Sequence, residues 1–136
     1  MKLRQLVVIA VLLAAAPIWA HHGSTGFDQT KPVRFIGKVS KLQWTNPHVV
    51  IHIDVAGADG KVATWMVNTF PPNAATRRGT YSQSSFAVGT ELTVDGYQAL
   101  DGSNHVNPTS IVFKDGTKIV HPDCFDNGPR CFTPGR

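Results

Sequence analysis

The chain has 136 residues, 42% hydrophobic and 16% charged, with 12 glycines and 9 prolines. That suits one small domain with a single core and many turns, and it excludes a multidomain enzyme or a long helical bundle. The net charge of +4 comes from 13 Lys and Arg against 9 Asp and Glu, yet the only basic pair beyond the first residues is Arg77-Arg78, so the clustered footprint of a nucleic-acid binder is missing.

Residues 1–20 read as a signal peptide. Lys2 and Arg4 give the positive start, Leu6 to Pro17 the apolar stretch, and Ile18-Trp19-Ala20 ends in the small residue a signal peptidase requires. Cleavage is expected after Ala20, because a cut after Ala16 would leave Pro17 first. The apolar stretch is too short for a permanent membrane anchor. Removing those 20 residues from 136 leaves 116, and losing Lys2 and Arg4 leaves 11 basic against 9 acidic residues, a charge of +2. The expected destination is periplasmic or secreted. Residues 21–32 follow as an N-terminal metal-binding lead, 33–120 as the folded domain and 121–136 as a tail.

In the domain, Val33 to Trp44 alternates apolar and polar residues as a long strand does, with Gly37 marking a bend or bulge. Asn46-Pro47 ends it. His48 to Val55 is a second strand, with Val49, Ile51, Ile53 and Val55 on one face and His48, Val50, His52 and Asp54 on the other. Asp59-Gly60 predicts a hairpin turn, and Val62 to Val67 returns as the third strand, carrying Trp65. Pro72 to Gly79 has a capping Asn73, helix-favouring Ala and Arg and a terminal Gly, and predicts a short helix. Val88 to Tyr97 is a fourth strand, Thr109 to Lys114 a fifth, and Asp115-Gly116 turns the chain into Thr117 to Val120.

Three strands, a short helix and two further strands predict an all-β fold: a small five- to six-stranded OB-like barrel with the helix between strands 3 and 4. An open β-sandwich is the alternative. In an oxidising compartment Cys124 and Cys131 can pair around the Gly128-Pro129 turn, closing a loop that would stabilise the tail by about 2–3 kcal/mol in the chain-entropy model. Their spacing is not the Cys-x-x-Cys of thioredoxin-like redox chemistry.

The start His21-His22-Gly23, the run Trp44-Thr45-Asn46-Pro47-His48, Trp65 and Arg77-Arg78-Gly79 together resemble a family of small exported bacterial proteins, a domain of unknown function. The resemblance runs from about His21 to Val120. It implies a secreted single β domain and supplies no activity, and the Cys124 to Cys131 tail departs from the pattern.

After cleavage His21 would offer its α-amine and its imidazole Nδ1 to one ion, and a further histidine would complete an all-nitrogen, T-shaped set. That arrangement suits Cu(II), which prefers tetragonal nitrogen and oxygen ligands. His22 gives a second route through the amine, the intervening amide and its own ring. His48, at a strand end after Asn46-Pro47, is the preferred partner. His52 stands about 13 Å further along the same strand, too far to share an ion with His48. His105 is expected in an Asp101 to Pro108 loop and His121 before Pro122, neither with a spacing argument. No helical His-x-x-x-His and no Cys/His quartet points to zinc.

The function expected is therefore a periplasmic copper-binding carrier or chaperone with His21, His22 and His48 as ligands, whose expected partners are the metal ion and a periplasmic protein. The alternative is a non-metal module binding a protein, sugar or anionic ligand through Trp44, Trp65, Arg77 and Arg78 on the barrel face. In a purely structural role the tryptophans would be core or rim aromatics, and the arginines would compensate the helix dipole. Catalysis finds little support, since no Gly-x-Ser-x-Gly elbow or comparable activating context occurs.

Overall fold

The computed structural model describes residues 26–74, 81–120 and 132–133. Among the described residues seven strands follow in chain order: β1 (Phe27–Trp44), β2 (Val49–Ala56), β3 (Val62–Asn68), β4 (Glu91–Ala99), β5 (His105–Phe113), β6 (Lys118–Val120) and β7 (Phe132–Thr133). Antiparallel pairing joins β2 to β3, β1 to both β2 and β4, and β4 to β5. A parallel pairing of β3 with β5 closes these five strands into a ring-like sheet. The fold is all-β, with the strand order expected of an OB-like barrel. β6 and then β7 extend the sheet from the second half of β5.

The ring closes around the residues the alternation predicts. Val49, Ile51 and Ile53 of β2 are fully buried, and they meet Val67 of β3, Leu92 and Val94 of β4, and Val106 and Ile111 of β5 in one core. β-branched side chains at period two give each strand one apolar face, and curling the sheet buries all those faces together. The long β1 serves both sides of the ring. Its first part, up to Lys38, pairs with β4, and the part from Lys38 onward pairs with β2.

Gly37 sits at that corner, where a Cβ would stand 2.5 Å from the Asp54 carbonyl oxygen and 2.6 Å from Ile53 Cγ2. The expected irregularity of β1 falls three residues later, as a bulge at Ser40 between the pairs Val39↔Ile53 and Lys41↔His52. The extra residue re-phases β1 so that Val39 before it and Leu42 after it both face the core.

Both Asp-Gly hairpins are built alike. Gly60 and Gly116 have φ of 78° and 85°, the left-handed backbone that glycine tolerates best. Asp59 and Asp115 each accept the backbone N–H of the residue two further on, at 3.1 and 2.8 Å.

Between β3 and β4 a helical turn starts at Pro72–Ala74; the remainder of the expected helix lies outside the described residues. A 3-10 turn, Gln83–Phe86, follows. The described part of this connection packs aromatic rings against the core. Phe70 and Phe86 are buried, and Tyr81 lies between them at centroid distances of 4.7 and 5.6 Å.

Two strands begin earlier than expected. β1 starts at Phe27 rather than Val33, its extra turn carrying a register irregularity between Phe27 and Pro32 in which the Asp28 carboxylate accepts the Thr30 N–H at 2.9 Å. β5 starts at His105 rather than Thr109. Pro108 sits inside it, opposite Gly96 and beside a register shift, which accommodates a residue with no N–H to donate.

Candidate functional site

His48 leads into β2 just after the cis Asn46-Pro47 peptide. Its Nδ1 lies 3.0 Å from the Thr69 carbonyl oxygen. A carbonyl can only accept, so Nδ1 carries the proton and Nε2 keeps its lone pair. The acceptor is itself fixed, because the Thr69 N–H donates to the Val49 carbonyl at 2.9 Å and the Val49 N–H donates to the Phe70 carbonyl at 3.1 Å. His48 thus presents one basic nitrogen on an exposed ring, oriented by the backbone in the manner of a metal-ligating histidine.

Of the other sequence-predicted ligands, His21 and His22 lie outside the described residues. So do Arg77, Arg78, Cys124 and Cys131, and the proposed disulfide with them. Gly26 is the first described residue and precedes β1. Its carbonyl accepts the Leu100 N–H at 2.9 Å, beside the β4–β5 hairpin. Trp65 is half-buried and stacks on Phe35 with ring centroids 4.9 Å apart, and Trp44 also packs against the core. Both tryptophans are thus largely occupied as rim aromatics of the ring.

The histidines that sequence spacing set aside are brought together. In register, His52 of β2 stands opposite Met66 of β3, and Met66 stands opposite His105 of β5. The pairs beside them, Ile51↔Val67 and Val67↔Val106, are fully buried, so the row His52, Met66, His105 occupies the outer face, half-buried. His105 is a strand residue, not the loop residue expected, and this places it beside Met66.

His52 Nε2 lies 3.2 Å from the Gln43 amide oxygen, an acceptor that fixes the proton on Nε2 and leaves the lone pair on Nδ1. Burial pulls the His52 ring below the usual histidine range, the positive charges of Lys41 and His105 pull it further, and Asp54 opposes them. The neutral, metal-binding form of the ring is thereby favoured at neutral pH. The Asp54 carboxylate is held by the hydroxyls of Ser40 and Thr64, at 3.0 and 2.7 Å. Among the described residues no three of His, Cys, Asp and Glu gather in a way that could hold a metal ion. A metal centre among them therefore needs a ligand of another kind or one from outside them.

Elsewhere on the outer face an open groove runs past Ile36, Lys38, Val62, Val88 and Glu91, with Ile36, Val62 and Val88 largely exposed. On the β1–β4 side Arg34 pairs with Asp95 at 3.2 Å, and Ser110 donates to the same carboxylate at 2.9 Å. That surface pair contributes little to stability.

Comparison with known proteins places the chain by family alone. The model of a family of unknown function (DUF6152) matches residues 9–107, ending in the first part of β5. No curated protein matches the chain.

Proposed function

The chain belongs to that family of unknown function, and we propose that it is an exported copper-binding protein, a periplasmic carrier or chaperone. In this reading residues 1–20 are a removed signal peptide, the mature chain of a bacterial exported protein begins at His21-His22-Gly23, and Cys124 and Cys131 form a disulfide. Cu(II) is bound by the α-amine and ring of His21, with His22 or His48 as further nitrogen ligand. The observation that carries the reading is His48, whose Nδ1 is tied to the Thr69 carbonyl and whose Nε2 is free to ligate. An all-nitrogen set suits Cu(II), and its uptake must displace the proton of an amine whose ordinary pKa is about 8.

Native mass spectrometry of the exported protein, with and without Cu(II), tests the reading. A mass beginning at His21 with one retained copper supports it, as does loss of that copper in His21→Ala and weaker retention at pH 5.5. Correct cleavage with no retained copper, or retention unchanged in His21→Ala, overturns the site.

A further inference from the structure

We propose that the outer face of the ring carries a second metal site, formed by His52, Met66 and His105, that takes Cu(I). The site goes beyond the N-terminal one and does not depend on it. His52 lies about 13 Å along β2 from His48, and none of the three residues belongs to the set that would hold Cu(II).

Three neighbouring strands present the three residues in one row, His52 opposite Met66 and Met66 opposite His105. Adjacent strands lie about 4.8 Å apart, so the two histidines flank the methionine with backbones about 10 Å apart. Side chains at paired positions stand on the same face, which sets an imidazole on each side of the central thioether, and the two histidines are near enough for the charge of His105 to act on His52. Gln43 fixes the His52 tautomer so that Nδ1 is the ligating nitrogen, the outer-sphere support that metal-binding histidines characteristically have.

The chemistry selects the ion. A thioether with two neutral imidazoles is a soft, uncharged ligand set, and thioethers favour Cu(I) over harder divalent ions. Among the described residues no cysteine joins the row, and the carboxylates that act on its histidines, Asp54 on His52 and Asp101 on His105, already accept hydrogen bonds, Asp54 from Ser40 and Thr64 and Asp101 from the Ser103 N–H. Lys41 stands directly opposite His52 on β1. A fixed positive charge there penalises a divalent cation more than a monovalent one.

Methionine occurs twice in the chain, at Met1 and Met66, so a mature protein lacking the leader has Met66 alone. Its methyl group, observed by NMR in protein labelled at the methionine methyl, reports the site directly. Added Ag(I), the redox-inert counterpart of Cu(I), should shift that resonance and saturate at one equivalent, in the wild type and in His21→Ala alike. Met66→Leu, a volume-conserving change that keeps the fold, and His105→Gln should each lower Cu(I) affinity by at least about tenfold in competition with a Cu(I) chelator, because even outer-sphere changes cost that much. A methyl resonance that Ag(I) leaves in place overturns the site, including the case in which silver binds at Cys124 and Cys131. So does wild-type Cu(I) affinity in Met66→Leu. Loss of the shift in His21→Ala would place the ion at the N-terminus and equally overturn an independent site.

Discussion

At the entrance to β2 a histidine is fixed by main chain; four residues further on, a second is fixed by side chains. His48 leans on the Thr69 carbonyl, within a backbone ladder that the core holds in place. His52 is held by Gln43 on one side and faces Met66 on the other, with His105 beyond it. The first arrangement orients a single nitrogen outward and needs partners from elsewhere in the chain. The second collects its partners across the sheet, and exists only because β3 and β5 run in parallel to close the ring. In the sites proposed above, the strand-end and mid-strand histidines thus serve two oxidation states of one metal.

The most damaging change tests whether both neighbourhoods depend on the ring. At Gly37 an added Cβ would be driven into the Asp54 carbonyl and the Ile53 side chain, and the contact lies on backbone that cannot move without displacing β2. Gly37→Val should therefore cost about 3 kcal/mol or more in urea unfolding, and should impair Cu(II) and Cu(I) binding together. An unchanged unfolding midpoint would show that β2 can shift freely at this corner, and that His48 and His52 are less rigidly placed than their hydrogen bonds indicate.

A smaller change should separate the two. Val67 and Val106 are the buried pair of the parallel seam, one residue from Met66 and His105. Val106→Ala removes about two methylene equivalents from the core and leaves a small cavity, at a cost of about 2 kcal/mol. The seam loosens where it holds His105 beside Met66, whereas Thr69, whose carbonyl holds His48, stays tied to the Val49 carbonyl through its own N–H. Ag(I) titration of the Met66 methyl should weaken several-fold and Cu(II) retention should not change. Equal weakening of both would join the two histidine neighbourhoods into one cooperative unit.

This division follows what was legible in the sequence. Val49, Ile51 and Ile53 declare their inward face by period two, and Asp59-Gly60 and Asp115-Gly116 declare their turns, because alternation and left-handed glycines are local properties. His48 could be singled out for the same reason, as a polar residue at a strand end after Asn46-Pro47. Ser40 gives no such sign. A bulge is a mismatch between two strands and belongs to neither sequence alone, so Gly37 drew the attention although its role is to let β2 pass close. Pro108 made the start of β5 resemble a loop and so left His105 without neighbours. The row His52, Met66, His105 depends on a parallel register between segments some forty residues apart, a relation that no spacing along the chain encodes. Met66 itself gave only one hint, its place two residues from Asn68 on the polar face of a strand.

The gentlest test concerns charge. Burial, then Lys41, then His105 depress the His52 titration, while Asp54 raises it. Lys41→Met removes the second of these influences, so the NMR titration midpoint of the His52 ring should rise toward the ordinary histidine value of 6.5 without reaching it, because burial and His105 remain. The consequence for stability has a definite sign. A histidine whose folded pKa is depressed binds fewer protons than its unfolded counterpart, so wild-type stability declines as pH falls from about 6.5 toward the folded value. In Lys41→Met that decline should be shallower. His48, about 13 Å along the strand, serves as the control resonance in the same spectra. A His52 midpoint that stays put or falls would mean that Lys41 turns its ammonium away from the ring into solvent, and the charge argument that favours a monovalent ion beside Met66 would lose its basis.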